Sequence, residues 1–196
     1  MGSQLSPSLL RRVIVLDSEL SLRLYSIARP IIPYYLLKAL EISGDGRLFF
    51  PVIISLLLTT SAAGAFLINL LLAALLDLAL IGLIKHIIQR PRPVYNKNMS
   101  LSFAVDHWSF PSGHSSRVFF IATMFYLSSH LMPTLIYVVG LWAIATSGSR
   151  VLLGRHFVLD VVAGACVGVL EGMFAFRFLR FENLTSFLFR PKLAEL

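Results

Sequence analysis

The sequence predicts an all-α protein, a polytopic membrane helix bundle of about six transmembrane helices. Apolar residues make up 57% of the 196-residue chain and charged residues only 14%, whereas about 25% of a soluble domain is charged. The apolar residues collect in long runs, and a helix needs roughly 20 such residues to cross a bilayer. No run alternates with polar residues as the strands of a membrane barrel do. Backbone groups in lipid must therefore bond within each run, which makes the runs helices.

Five runs are clear spans, and one further segment is an uncertain first span. The clear spans are predicted at 48–64, 66–84, 115–131, 134–146 and 158–176. The uncertain segment, 20–40, is interrupted by Pro30, Pro33 and several charged residues, so it fits either a broken span or a helix in the membrane interface. We therefore expect a polar N-terminal tail at 1–19, a membrane domain at 20–180 and a C-terminal tail at 181–196.

Charge and cysteine content narrow the classes of function. The net charge is +7, but so few residues are charged that a nucleic-acid-binding domain is not expected. Anionic lipid headgroups or a phosphorylated substrate fit the positive charge better. The chain has one cysteine, Cys166, which excludes a disulfide or a cysteine-based zinc framework within one chain.

Three islands of polar residues interrupt the apolar frame. The first runs from Lys85 to Pro93, the second is Phe110-Pro111-Ser112-Gly113-His114, and the third begins at Ser149-Arg150 and reaches Asp160. Each island lies at the end of an apolar run, where a charge costs less than at the bilayer centre. Because consecutive spans alternate in direction, we expect the three islands to meet at one face of the membrane.

The spacing of these islands resembles a known family signature. The islands contain three motifs: Lys85-x6-Arg92-Pro93, Pro111-Ser112-Gly113-His114 and Ser149-Arg150-x5-His156-x3-Asp160. These are similar to the three motifs of the type 2 phosphatidic acid phosphatase superfamily. The resemblance covers about residues 40–180. The flanking residues, including Leu40-Glu41-Ile42-Ser43-Gly44, also resemble the polyisoprenoid diphosphate phosphatase branch, which includes the presqualene diphosphate phosphatases.

The resemblance assigns roles to the catalytic residues. It implies that His156 attacks phosphorus and forms a phosphohistidine, while His114 first protonates the leaving oxygen and later activates water. It also implies that Asp160 bonds the far nitrogen of His156 and fixes its tautomer.

The residues expected to bind phosphate suit an anion. Phosphoryl transfer needs positive charge around the three equatorial oxygens, and a helix N-terminus offers N–H donors. These substrate-binding candidates are Lys85, Arg92, Ser112, Gly113 and Arg150. No metal and no cofactor are expected, because Asp160 is the only acidic residue clearly in the constellation.

The sequence therefore predicts an integral-membrane, metal-independent phosphohydrolase acting on polyisoprenoid diphosphates and monophosphates of the farnesyl or presqualene type. The alternatives are a broad-specificity phosphatidic and lysophosphatidic acid phosphatase, a lipid phosphotransferase using the same site, and a catalytically inactive relative. Membrane lipids and the lipid substrate are the expected partners, and nucleic acid is not. A homo-oligomer stays open, and the resemblance suggests the endoplasmic reticulum membrane.

Some polar residues lie outside the motifs. We expect headgroup contact or solvation for four basic residues: Arg90, Lys97, Arg117 and Arg155. Asp77 and Glu171 fall inside apolar spans, where a buried structural hydrogen bond is expected. Gly164, Gly168 and Gly172 recur every four residues, which predicts close packing of the last helix against a neighbour.

Overall fold

The regular elements of the chain are helices. The computed structural model describes residues 7–59, 64–95, 107–128 and 132–179. Within these ranges the helices are α1 (Pro7–Ile31), α2 (Tyr34–Ser43), α3 (Gly46–Thr59), α4 (Gly64–Ile88), α5 (Gly113–Ser128), α6 (Pro133–Leu152) and α7 (Val158–Phe178). The predicted all-α membrane bundle is confirmed.

Three helices in the described ranges are long and apolar enough to cross a membrane: α4, α6 and α7. They contain the predicted spans at 66–84, 134–146 and 158–176. The consecutive helices α2 and α3 are bent by 48° and together make a fourth candidate, a broken span. The predicted span at 48–64 is thus half of a bent pair, and the one at 115–131 corresponds to α5, which has 16 residues.

The N-terminal region differs from the sequence prediction. A single helix of 25 residues, α1, begins at Pro7, inside the expected polar tail, and ends at Ile31. Proline disfavours helical backbone in the residue before it and has no N–H to donate. Pro33 therefore separates α1 from α2, and the uncertain segment at 20–40 is divided between two helices.

Helix α5 lies at the centre of the bundle and packs along α7. An added Cβ would collide with the carbonyl oxygen of Ser112 at Gly164, and with the carbonyl oxygen of Ser116 at Gly168. At Gly172 it would lie 2.8 Å from Cβ of Thr123. The glycines therefore bring the two helix backbones into direct contact, as their spacing predicted.

The apolar core sits beside this contact, between α3, α4, α5 and α7. It is formed by buried side chains: Ile53, Leu70, Ala73, Ala74, Phe120, Ile121, Met124 and Ala175. Because the core lies along the helices, their ends are left for polar residues. Lys85 and Arg150 lie in the last turns of α4 and α6, and Asp160 lies in the first turn of α7.

The glycine contact predicts a stability difference between two helical substitutions. Gly168→Ala should lower the unfolding free energy by about 1–3 kcal/mol, because the methyl group overpacks a backbone contact. Gly82→Ala is the matched control in α4, where no atom lies within 4 Å of the added Cβ. It should leave stability unchanged or raise it by up to about 1 kcal/mol. Equilibrium unfolding in mixed detergent micelles measures both, and equal effects would contradict the packing argument.

Candidate active site

The three polar islands meet at one end of the bundle, as predicted. Nη1 of Arg92 lies 3.2 Å from Nε2 of His156 and donates to the carbonyl oxygen of Arg155 at 2.8 Å. The backbone N–H of Ser112 donates to the carbonyl oxygen of Asp160 at 2.9 Å. Short contacts therefore join all three islands into one site.

His156 is held as a neutral imidazole of defined tautomer. Its Nδ1 lies 2.8 Å from the carbonyl oxygen of Ser109, which can only accept, so Nδ1 carries the proton. Burial lowers the pKa of His156 well below its ordinary value, and the nearby charges of Arg92, Arg150 and Lys85 lower it further. Nε2 is therefore the nitrogen with the lone pair; it accepts from Nη1 of Arg92 and can act as a nucleophile once a substrate takes up that donor.

Asp160 supports His156 less directly than expected. Its Oδ2 lies 3.6 Å from Nδ1 of His156, too far for a hydrogen bond, and accepts instead from the backbone N–H of Phe157 at 2.9 Å. The physical reason is that α7 begins only at Val158, so His156 and Asp160 do not share a helical turn. The carbonyl of Ser109 takes the hydrogen-bonding role that the resemblance implied for the carboxylate.

The second island forms the N-terminus of α5. Ser112 is fully buried, and the backbone N–H of Ser115 lies 3.5 Å from its hydroxyl oxygen. Gly113 is the first residue of α5, where backbone N–H groups have no acceptor in their own helix. This end of α5 therefore suits an anion.

His114, in the first turn of α5, faces the bend between α2 and α3. Its Nε2 is buried with no hydrogen-bond partner in the described part of the chain and lies 3.9 Å from Oδ2 of Asp45. A buried nitrogen without a partner carries a desolvation cost unless a ligand bonds it. His114 is thus placed to exchange a proton with a bound molecule.

The expected phosphate-binding cations are buried. Lys85 is 4% exposed and Arg150 is 1% exposed. Nη1 of Arg150 lies 2.6 Å from Oε1 of Glu41 in α2, and Lys38 donates to the same carboxylate at 2.8 Å. The motifs gave Glu41 no role; the signal that could have identified it is an acidic residue in a short helix next to the predicted membrane spans.

Three arginines that we expected at lipid headgroups are inside the protein. Arg117 lies 3.2 Å from Asp77 of α4, which supplies the partner that an acidic residue inside a span requires. Arg155 is 1% exposed, and Arg90 binds Asp160 at 2.7 Å. Lys97 lies outside the described residues. The sequence alone gave no indication of these contacts, since the partners of Arg117 and Arg90 come from other helices.

Within the described ranges, no group of three or more His, Cys, Asp and Glu side chains is arranged to hold a metal ion.

Known proteins with related sequences and structures share this architecture. The PAP2 superfamily model matches residues 66–184. The chain is 39% identical over 199 residues to the probable lipid phosphate phosphatase beta of Arabidopsis thaliana, with 88% of this chain and 92% of the relative covered.

Two crystal structures are similar to the fold. LpxE of Aquifex aeolicus superimposes with a TM-score of 0.62 and 29% identity, covering 81% of this chain and 96% of that one. The PAP2 type phosphatidylglycerolphosphate phosphatase of Bacillus subtilis gives a TM-score of 0.68 and 26% identity, covering 85% and 86%. With its three motifs joined at one end of an apolar bundle, the chain belongs to the PAP2 superfamily and is a membrane lipid phosphate phosphatase of the PAP2 type.

Proposed function

We propose that the chain hydrolyses a lipid phosphate or diphosphate through a phosphohistidine formed on His156. The observation that carries the proposal is the hydrogen bonding of this imidazole. A carbonyl oxygen faces Nδ1 at 2.8 Å, so the lone pair lies on Nε2, beside Arg92. A phosphate bound by Arg92 would bring its phosphorus to that lone pair.

In the first step Nε2 of His156 forms a bond to phosphorus while the bond from phosphorus to the leaving oxygen breaks. His114, whose protonated form is favoured by the negative charge of the bound phosphate, donates a proton to that oxygen. The proton on Nδ1 stays bonded to the carbonyl of Ser109, so the phosphorylated imidazole is a cation. The carboxylate of Asp160, 3.6 Å from Nδ1, stabilises the positive charge by proximity.

In the second step a water molecule attacks the phosphohistidine. His114, which lost its proton in the first step, accepts one from this water. The bond between Nε2 and phosphorus breaks, inorganic phosphate leaves and His156 returns to its neutral form. Cationic side chains balance the charge on the equatorial oxygens in both steps; these are Lys85, Arg92 and Arg150.

The preferred substrates in this proposal are polyisoprenoid diphosphates and monophosphates. The support is the sequence around the motifs, where Leu40-Glu41-Ile42-Ser43-Gly44 resembles the polyisoprenoid branch. Glu41 in this stretch contacts Arg150, so the branch-like sequence lies against a phosphate-binding residue. The resemblance also supports the endoplasmic reticulum as the membrane in which the protein acts.

A second candidate is a broad-specificity phosphatase of glycerolipid phosphates. The observation that favours it is the relative from Arabidopsis thaliana, a probable lipid phosphate phosphatase that matches 88% of this chain. The structurally similar protein from Bacillus subtilis is a phosphatidylglycerolphosphate phosphatase. Both candidates use the same site and differ in the lipid that reaches it.

The nucleophile can be tested directly. Phosphate release by the detergent-purified protein in excess EDTA should fall by about 10³-fold or more in His156→Ala, because the covalent route is lost. His86→Ala is the matched control, since His86 lies exposed in the last turn of α4, and it should retain the rate of the unmodified protein. An active His156→Ala protein, or a requirement for metal, would refute the mechanism.

The substrate preference is measured with two lipids side by side. Farnesyl diphosphate should give a higher kcat/KM than phosphatidic acid in the same mixed micelles. The reason is that the proposed site lies beside Glu41, in the stretch that resembles the polyisoprenoid diphosphate phosphatases. A clear preference for phosphatidic acid would instead support the broad-specificity candidate and would leave the phosphohistidine mechanism untouched.

The pH profile tests the state of His156. Only the neutral imidazole attacks, and its pKa lies well below the ordinary histidine value, about 6.5. The acidic limb of kcat/KM, which reports the free enzyme, should therefore fall below pH ~6.5. The measurement uses a substrate whose own ionisation is titrated separately and divided out. An acidic limb at or above the ordinary histidine value would contradict a buried neutral nucleophile.

A further inference from the structure

Helix α1 buries polar side chains and exposes apolar ones. Asp17 and Ser21 are 5% and 0% exposed, whereas Leu16, Leu20 and Ile27 are 63%, 48% and 61% exposed. A helix on a soluble protein buries its apolar stripe instead. In a membrane protein exposed apolar side chains suit lipid, whereas the buried polar side chains of Asp17 and Ser21 must have partners within the protein.

These partners are at the N-terminus of α7. The first N–H groups of a helix need acceptors from outside it, and the preceding residue, Phe157, has no polar side chain to provide one. The hydroxyl of Ser21 accepts from the N–H of Val158 at 3.0 Å. Oδ1 of Asp17 accepts from the N–H of Leu159, also at 3.0 Å. Side chains of α1 therefore cap the helix that begins two residues after His156.

Asp17 also begins a chain of charged groups that ends at His156. Its Oδ2 lies 2.6 Å from Nη2 of Arg90, and Nη1 of Arg90 lies 2.7 Å from Oδ1 of Asp160. The guanidinium stacks 4.1 Å above the ring of Phe157. Oδ2 of Asp160 then lies 3.6 Å from Nδ1 of His156.

We propose that Asp17 and Arg90 are positioning residues of the phosphatase reaction, which hold Asp160 in place and keep one net negative charge beside His156. The proposal rests on the proposed role of His156 as the nucleophile. Two carboxylates and one guanidinium leave a single negative charge, which opposes the positive charge that phosphorylation places on the imidazole. A buried carboxylate without a cation is costly, and Arg90 lowers that cost for Asp17 and Asp160 at once.

Arg90 differs from the cations that are expected to bind phosphate. Both of its terminal nitrogens are engaged by carboxylates, and its planar fork fits two such partners at once. Arg92, two residues later, lies beside Nε2 of His156 instead. Asp17 lies in α1, before the residues 66–184 that the family model matches. We call Asp17, Arg90 and Asp160 the relay. It thus includes a residue of a helix that lies outside the region matched by the family model.

Other charged or titratable groups also face His156, and they remain in place in the test. They are Lys85 in α4, Arg92 after α4, His114 in α5, Arg150 in α6 and Asp160 in α7. Because these groups are unchanged, a difference in kcat or pH profile between the variants at positions 17 and 90 reports the effect of Asp17 and Arg90 on His156.

The experiment measures kcat and KM of the full-length protein in detergent. Asp17→Asn and Arg90→Gln should each lower kcat roughly 10- to 100-fold, the range for groups that orient a reacting residue without contacting the substrate. KM should change much less, because neither side chain contacts the substrate. Arg90→Lys keeps the charge but cannot bridge two carboxylates, so its kcat should be intermediate. Glu19→Gln, an exposed acidic residue on the same helix, is the matched control and should behave as the unmodified protein.

The pH profile separates this role from a general loss of structure. Asp17→Asn removes a negative charge from the relay, which lowers the pKa of His156 and moves the acidic limb of kcat/KM to lower pH. Arg90→Gln removes a positive charge, which raises that pKa and moves the limb to higher pH. A purely structural role would shift the acidic limbs of the two variants in the same direction or leave both unchanged. Either of those outcomes would overturn the proposal.

A double variant tests whether Asp17 acts through Arg90. Asp17→Asn retains a side-chain oxygen for the N–H of Leu159, so combining it with Arg90→Gln should lower kcat little further. Fully additive losses would overturn the relay. An inactive His156→Ala protein beside fully active Asp17→Asn and Arg90→Lys proteins would refute the relay alone. An active His156→Ala protein would refute the proposed function itself.

Discussion

Pairing of buried charges is the constraint on which this structure depends. An arginine inside an apolar bundle is costly unless an acidic side chain meets it. Arg117 of α5 meets Asp77 of α4, and Arg150 of α6 meets Glu41 of α2. Each pair joins two helices, so removing one partner would leave an uncompensated charge in the bundle. The pairs therefore hold the helices in the arrangement that the site requires.

The same constraint explains where the site lies. Helix ends at one face of the bundle are the positions where several cations can be gathered at modest cost. Lys85 and Arg150 lie in the last turns of their helices, and Gly113 opens α5. A bound phosphate would complete the charge balance in this region. Burial and the same cations lower the pKa of His156, so the features that attract the anion also favour the neutral nucleophile.

Close contact between α5 and α7 gives the site its rigidity. Gly164 and Gly168 allow the α7 backbone to touch that of α5, next to Ser112 and Ser116. The second motif lies at the start of α5 and the third ends in the first turn of α7; this contact brings these two helix ends together. The N–H of Ser112 donates directly to the carbonyl of Asp160. A packing feature of the apolar interior thus sets the distances between polar groups at the surface of the bundle.

The sequence by itself determined the helical membrane class, the three motifs and their meeting at one face. The length of each apolar run and the alternating direction of consecutive spans follow from the order of residues along the chain. Neither requires knowledge of tertiary contacts. The same local reading also predicted the glycine contact of α7, because a four-residue period places Gly164 and Gly168 on one face.

Only the tertiary structure decided which residue partners which. Arg90, Arg117 and Arg155 looked like headgroup ligands, because the motifs gave them no role and the sequence alone does not show which acidic residue meets them. Their partners come from residues distant in sequence; Asp17 is 73 positions from Arg90. Likewise, the family resemblance implied a direct bond between Asp160 and His156, but α7 begins between them and Ser109 takes that place. A sequence specifies local periodicity and charge, whereas pairing across helices depends on how the helices pack.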